Sequence, residues 1–113
     1  VVAEFNFGVV NDVENEQDPS TLSFNLYQNY PNPFNPSTKI SFTIPANRSG
    51  ENQFVNLAVF DILGREVARL INEEKSPGNY TVEFNSGELP SGVYIYRLST
   101  SENNISKKLT IIK

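Results

Sequence analysis

The chain has 113 residues, nine Lys+Arg against thirteen Asp+Glu, a formal net charge of −4, and no Cys, His, Met or Trp. Without cysteine there is no disulfide framework and no thiolate metal site, and without histidine there is no Ser-His-Asp or Cys-His relay. The acidic balance argues against a sequence-independent nucleic-acid binder, which needs a basic face, and no apolar run approaches the roughly 20 residues of an integral membrane helix. The length suits one domain with one core. A chain that opens Val1-Val2 is expected to be a processed product or an excised piece of a longer one, with any targeting signal upstream.

In chain order, residues Val1–Val10 alternate, with Phe5, Phe7 and Val9 on one face, and are predicted to form a strand. Residues Asn11–Thr21 are acidic, poor in large apolar groups and interrupted by Pro19, which is the composition of a linker. The organisation read from the sequence is therefore 1–10 strand, 11–21 linker, 22–113 domain. A tethered apolar strand either closes an absent upstream domain or is donated to a neighbouring copy, since an unpaired edge invites aggregation. Donation between copies does not close on itself and would build a filament, a homo-oligomer by strand exchange. Asp12, Glu14, Glu16 and Asp18 alternate like calcium ligands, but Gln17 stands where the loop needs glycine and no bidentate Glu closes it, so no metal or other cofactor is expected.

The segment Gln28-Asn29-Tyr30-Pro31-Asn32-Pro33-Phe34-Asn35-Pro36 is the most distinctive. Three prolines stiffen it and restrict the residues before them, while Asn side chains can bond their own downstream amides. Two readings stand: a defined loop whose Tyr30 and Phe34 plug the open end of the fold, or a proline-rich recognition surface.

Beyond it the apolar pattern has period two. Ile40, Phe42 and Ile44 alternate with polar neighbours, then Val55, Leu57 and Val59, then Tyr80, Val82 and Phe84. Val93 to Leu98 is β-branched or aromatic on both faces, and Leu109 and Ile111 alternate in the final run. Arg65 to Ile71 suits a helix turn or a strand, and is assigned as a strand because no helix caps flank it. Turn residues at Pro45–Gly50, Asp61–Gly64, Ser76-Pro77-Gly78, Ser86-Gly87, Pro90-Ser91-Gly92 and Asn103-Asn104 separate the runs. The pattern predicts an all-β, immunoglobulin-like antiparallel β-sandwich of about seven strands, without the disulfide.

Sites of chemistry are few. Asp61 and Glu66 form a tempting carboxylate pair, but Asp at the first and Gly at the fourth position is type I turn chemistry, and turn capping is preferred over acid–base catalysis. Tyr27, Tyr94 and Tyr96 could stack sugars, although aromatics on adjacent strands more often pack across the sheet. The Asn-x-Ser/Thr tripeptides at Asn47, Asn79 and Asn104 carry little weight in an Asn-rich chain.

The Gln28–Pro36 run resembles the opening of the type IX secretion system C-terminal sorting domain, type A. The likeness continues through Thr38 to Pro45, through Val55 to Asp61 and Leu63-Gly64-Arg65-Glu66-Val67, through Gly78-x-Tyr80 and Leu89-Pro90-Ser91-Gly92-Val93-Tyr94, and ends at Lys107-Lys108-Leu109 to Lys113. It spans about residues 22–113, and many motifs match in order. The residues resemble immunoglobulin-like domains of flagellar hook-capping proteins more weakly. The resemblance implies a non-catalytic module that is read in the periplasm by the type IX secretion machinery and sends its parent to the cell surface or beyond. It places receptor recognition on the last hairpin, at Gly92, Val93, Tyr94, Lys107, Lys108 and Lys113. A basic end on an acidic chain can steer docking to an acidic face, while the plain alternative is that edge lysines block sheet-to-sheet aggregation.

Overall fold

Alternation of apolar and polar residues commits each segment to burying one face. In the computed structural model, which describes residues 22–46 and 52–113, that constraint yields seven strands. They are β1 (Asn25–Leu26), β2 (Ser37–Ile44), β3 (Gln53–Phe60), β4 (Glu66–Lys75), β5 (Gly78–Asn85), β6 (Gly92–Ser99) and β7 (Asn104–Ile111). Two antiparallel sheets result, ordered β1-β2-β5 and β4-β3-β6-β7. Among the described residues there is no helix, and so none long and apolar enough to cross a membrane. Val1–Val10, with Phe5, Phe7 and Val9, and the linker that follows lie outside the described residues, as do Asn47 and the alternating acids.

The core lies between the sheets. Leu26, Ile40, Phe42 and Ile44 from one sheet meet Val55, Leu57, Val59, Tyr96, Leu98, Leu109 and Ile111 from the other, all 1% exposed or less. Stripping one such side chain from water contributes roughly 1.5–3 kcal/mol, so these rows hold the sandwich shut. Phe42 stacks on Tyr80 at 5.4 Å, and Phe34 meets Phe84 edge-on at 5.9 Å.

The ambiguous stretch is strand β4, and its register explains the ambiguity. Leu57 faces Ile71 but Ala58 faces Arg69, and Val59 faces Ala68 but Phe60 faces Glu66. Leu70 and Val67 are the extra residues of two bulges, which break period two in the sequence.

The proline-rich loop closes one side of the sandwich, and its anchor is a buried phenol. Tyr96 on β6 is fully buried; its hydroxyl donates to the Tyr27 carbonyl at 2.8 Å and accepts from the Asn29 amide at 2.9 Å. The Asn29 carboxamide donates to the Pro31 carbonyl and to Thr38 Oγ1, both at 3.1 Å, and Thr38 Oγ1 donates to the Pro31 carbonyl at 2.8 Å. The loop then reaches the outer edge of β7. Gln28 Nε2 donates to the Lys108 carbonyl at 2.8 Å, and Asn32 Oδ1 accepts from the Thr110 amide at 3.0 Å. Phe34 forms a parallel bridge to Ile111 by donating to the Thr110 carbonyl and accepting from the Ile112 amide. The peptide bonds before Pro31, Pro33 and Pro36 are cis.

Phe34 is 2% exposed and plugs the fold as expected, but Tyr30 does not: it is 81% exposed. Its backbone pairs with Lys39, an outward residue of β2, and a directly opposed residue shares its partner's face. Asn32 also departs from the expected local turn, spending its side chain on β7 instead.

Replacing Tyr96 by Phe removes one hydroxyl and strands two backbone groups, the Tyr27 carbonyl and the Asn29 amide. Tyr96→Phe is expected to lower unfolding stability by about 2 kcal/mol in urea titration, whereas Tyr27→Phe, losing a half-exposed hydroxyl, costs at most about 0.5 kcal/mol.

Candidate functional site

One end of the sandwich is built from the β3–β4 turn, the loop before β6 and the residues after β7. The turn is held by its first residue. Asp61 accepts the Gly64 amide on its carbonyl at 3.0 Å and donates its own amide to the Arg65 carbonyl at 2.9 Å. Its carboxylate accepts from the Leu63 and Arg65 amides, both at 2.9 Å, and from Arg65 Nε at 2.7 Å. Gly64 has φ of 86°, a left-handed conformation that a Cβ would strain. This is the turn capping expected from the sequence. The Arg65 amide, foremost among these donors, holds the Asp61 carboxyl below its ordinary value of 3.8. Glu66 is not its partner but pairs with Arg69 at 3.0 Å.

Between the two capped ends of this turn stand Ile62 and Leu63, 76% and 74% exposed. Turn positions of this kind accept polar residues freely, so two large apolar side chains in water are not there for the turn. Across from them runs the loop before β6. Its Leu89 amide donates to the Ser86 carbonyl, and Tyr94 Oη donates to the Pro90 carbonyl at 2.7 Å. The same arrangement recurs one strand earlier, where Tyr80 Oη donates to the Ser76 carbonyl at 2.6 Å. In both places a glycine sits midway, with the tyrosine ring 3.8–3.9 Å from where its Cβ would be. Between turn and loop lies a groove of about 700 Å³, whose walls include Leu63, Val67, Leu89, Pro90, Val93 and Tyr94.

The residues expected to serve recognition divide. Gly92, Val93 and Tyr94 all line the groove; Val93 is 45% exposed, while Tyr94 is 5% exposed and contributes a wall rather than a free ring. Lys113 closes one flank, its amide donating to Ser91 Oγ at 2.9 Å and its Nζ to the Gly87 carbonyl at 2.6 Å. Lys107 and Lys108 stand opposite Tyr96 and Ile95, further along the hairpin. Being consecutive on a strand, they point to opposite faces and form no single basic patch. The signature loop Gln28–Pro36 is not at the groove; it covers the edge of β7 that leads to it. Tyr94 and Tyr96 are core residues, so packing, the reading preferred for Tyr27, Tyr94 and Tyr96, holds for these two, and the three form no sugar platform. Sequence reasoning missed Ile62, Leu63 and Leu89 as a set, although two consecutive apolar residues inside a turn were a readable signal.

The sequence matches the secretion system C-terminal sorting domain over residues 28–113. The chain belongs to that family. No curated protein matches it. The sorting domain carries the C-terminal signal of type IX secretion, which implies interaction with that machinery and export to the cell surface or the extracellular space. The matched span runs from the first residue of the signature loop through β7 to Lys113, and so takes in every element that builds the groove.

Asp61 gives this end of the sorting domain a pH dependence with a definite sign. Its folded pKa is lowered, so its contribution is complete above the ordinary carboxylate range and is lost as pH falls through the folded value. Asp61→Asn is expected to be less stable than the parent at neutral pH. The gap should close below about pH 4, as read from thermal melting across an acid series.

Proposed function

We propose that the sorting domain is a non-catalytic address label whose folded groove end is what the type IX machinery reads after the parent reaches the periplasm. The observation that carries this reading is the rigid display of Ile62 and Leu63, exposed side chains on a turn fixed by three hydrogen bonds to the Asp61 carboxylate. Exposed apolar groups clustered beside a groove mark interaction surfaces in soluble domains. Val93 and the walls supplied by Leu89 and Pro90 extend the same patch. Lys113 at the flank, with Lys108 on the adjoining strand, supplies positive charge that accelerates encounter with an acidic receptor face.

The same geometry speaks for a binding role over an enzymatic one. The carboxylate in the groove, Asp61, is held ionised by two backbone amides and by the Arg65 guanidinium, and a carboxylate so occupied is a poor proton acceptor. Residues 22–113 are proposed as the autonomous unit, because the sheet pairing begins at Asn25 and the family match at residue 28.

A fusion of residues 22–113 to a periplasmic reporter is expected to be exported by a host with the type IX system. Leu63→Asp combined with Val93→Asp should retain the reporter in the periplasm, lowering the exported fraction about tenfold, while the domain's melting temperature stays unchanged. Equal export of the double variant removes the groove as the reading site. Retention of the unaltered fusion removes the proposal that these residues suffice as a signal.

A further inference from the structure

The outer face of the β1-β2-β5 sheet points away from both the groove and β7, and no part of the sorting reading uses it. The register places its side chains in cross-strand rows. Ser37 faces Asn85, Lys39 faces Glu83, Ser41 faces Thr81 and Thr43 faces Asn79. Lys39 and Glu83 are the charged residues of these rows, one of each sign and directly opposed, so the face is neutral on a chain of net charge −4. The rest is hydroxyl and carboxamide: Ser41 and Thr81 lie 2.9 Å apart at their oxygens, and Thr43 Oγ1 donates to Asn79 Oδ1 at 2.6 Å.

Two tyrosines border this lattice along one side. Tyr27 donates its amide to the Ser41 carbonyl and Tyr30 pairs with Lys39, so both side chains take the outward face of the sheet. Their partners on β2 are two residues apart, which separates the tyrosines by about 7 Å along the strand. The Tyr27 hydroxyl reaches Thr43 Oγ1 at 3.4 Å, one row away, so its ring lies along the sheet; Thr43 beneath it is 4% exposed although it belongs to the outward row. Tyr30 is 81% and Tyr27 45% exposed, and Tyr30 is held on a loop fixed at both ends by hydrogen bonds.

We propose that this face binds a neutral polysaccharide, with sugar rings stacking on Tyr27 and Tyr30 and their hydroxyls bonding to the Ser41, Thr81, Lys39 and Glu83 row ends. An exposed ring beside a dense field of donors and acceptors matches a ligand with apolar faces and polar edges, which describes a pyranose. A protein partner would need an apolar centre that loses its water, and here the ground beside the tyrosines is hydroxyl and carboxamide. A polyanion would need unpaired cations, and Lys39 stands opposite Glu83. The inference is independent of the sorting role. It replaces Tyr94 and Tyr96, which are buried, with a pair that shares one exposed face.

The test is affinity electrophoresis of the 113-residue chain in gels containing soluble β-glucan, galactomannan or xyloglucan, with polygalacturonate as the anionic control and sedimentation analysis of the free protein. Retardation by at least one neutral polysaccharide is expected. Tyr30→Ala and Tyr27→Ala should each weaken it about tenfold, Tyr30→Phe should keep most of it, and Ile62→Ala should leave it unchanged. Both alanine variants should keep a cooperative melt, since neither ring is in the core. The proposal is overturned if none of the three neutral polymers retards the chain, if retardation survives both alanine substitutions, or if only polygalacturonate is bound. It is equally overturned if the tyrosines instead support self-association that sediments as a dimer without any polysaccharide effect.

Discussion

A phenol buried in the middle of β6 sets the terms for much of this fold. Tyr96 carries one oxygen into a region where an unpaired polar atom costs on the order of 1–3 kcal/mol, and burial pushes the hydroxyl toward its neutral, donating form. The chain answers by bringing the Tyr27 carbonyl and the Asn29 amide to it. Those two contacts place the start of the proline-rich loop, Asn29 and Thr38 then lock its first turn, and Gln28, Asn32 and Phe34 attach it to β7. A stretch with three prolines cannot supply the amides of a regular strand, yet it covers a strand edge by using side chains and the amide and carbonyl of Phe34. The consequence is an asymmetric sandwich. The side bearing β1 and β7 is covered by the loop, while the opposite side ends in the edge strands β4 and β5.

Period two made the fold legible, and departures from it mark where legibility ended. Ile40, Phe42 and Ile44, and Val55, Leu57 and Val59, are buried as their spacing required. The Arg65–Ile71 run is a strand as assigned, but its period was ambiguous because two bulges insert Val67 and Leu70, and neither residue type marks a bulge apart from the register it disturbs. Tyr30 was misplaced for a related reason. Its face is decided by pairing with Lys39, a contact across the proline-rich turn that composition does not encode. Asn32 was expected to serve its own turn, and only tertiary structure brings the Thr110 amide within its reach.

The site was legible in pieces. Asp61 and Gly64 announced the turn, and Gly92-Val93-Tyr94 the far wall, but no local pattern says that these segments face each other. The lysines show the opposite failure. Closeness in sequence suggested one basic end, while strand geometry puts Lys107 and Lys108 on opposite faces and spends Lys113 on the Gly87 carbonyl. The tyrosine surface was hidden by the same rule: Tyr94 and Tyr96 share the inward parity of β6, whereas Tyr27 and Tyr30 acquire a common face only through their partners on β2.

An address made from a linear motif could be read on an unfolded chain. The groove cannot, because its walls come from the β3–β4 turn, the loop before β6 and β6 itself, and it exists only once both loops are set. Asp61 fixes one wall, and the Tyr94 hydroxyl on the Pro90 carbonyl fixes the other. Recognition of that surface, as proposed above, would therefore be coupled to folding of the domain. Its free energy would include the stability supplied by Tyr96 and Phe34 on the covered side, even though neither residue lies in the groove. A core substitution that left the surface chemistry intact would still weaken recognition, in proportion to the fraction of chains that remain folded.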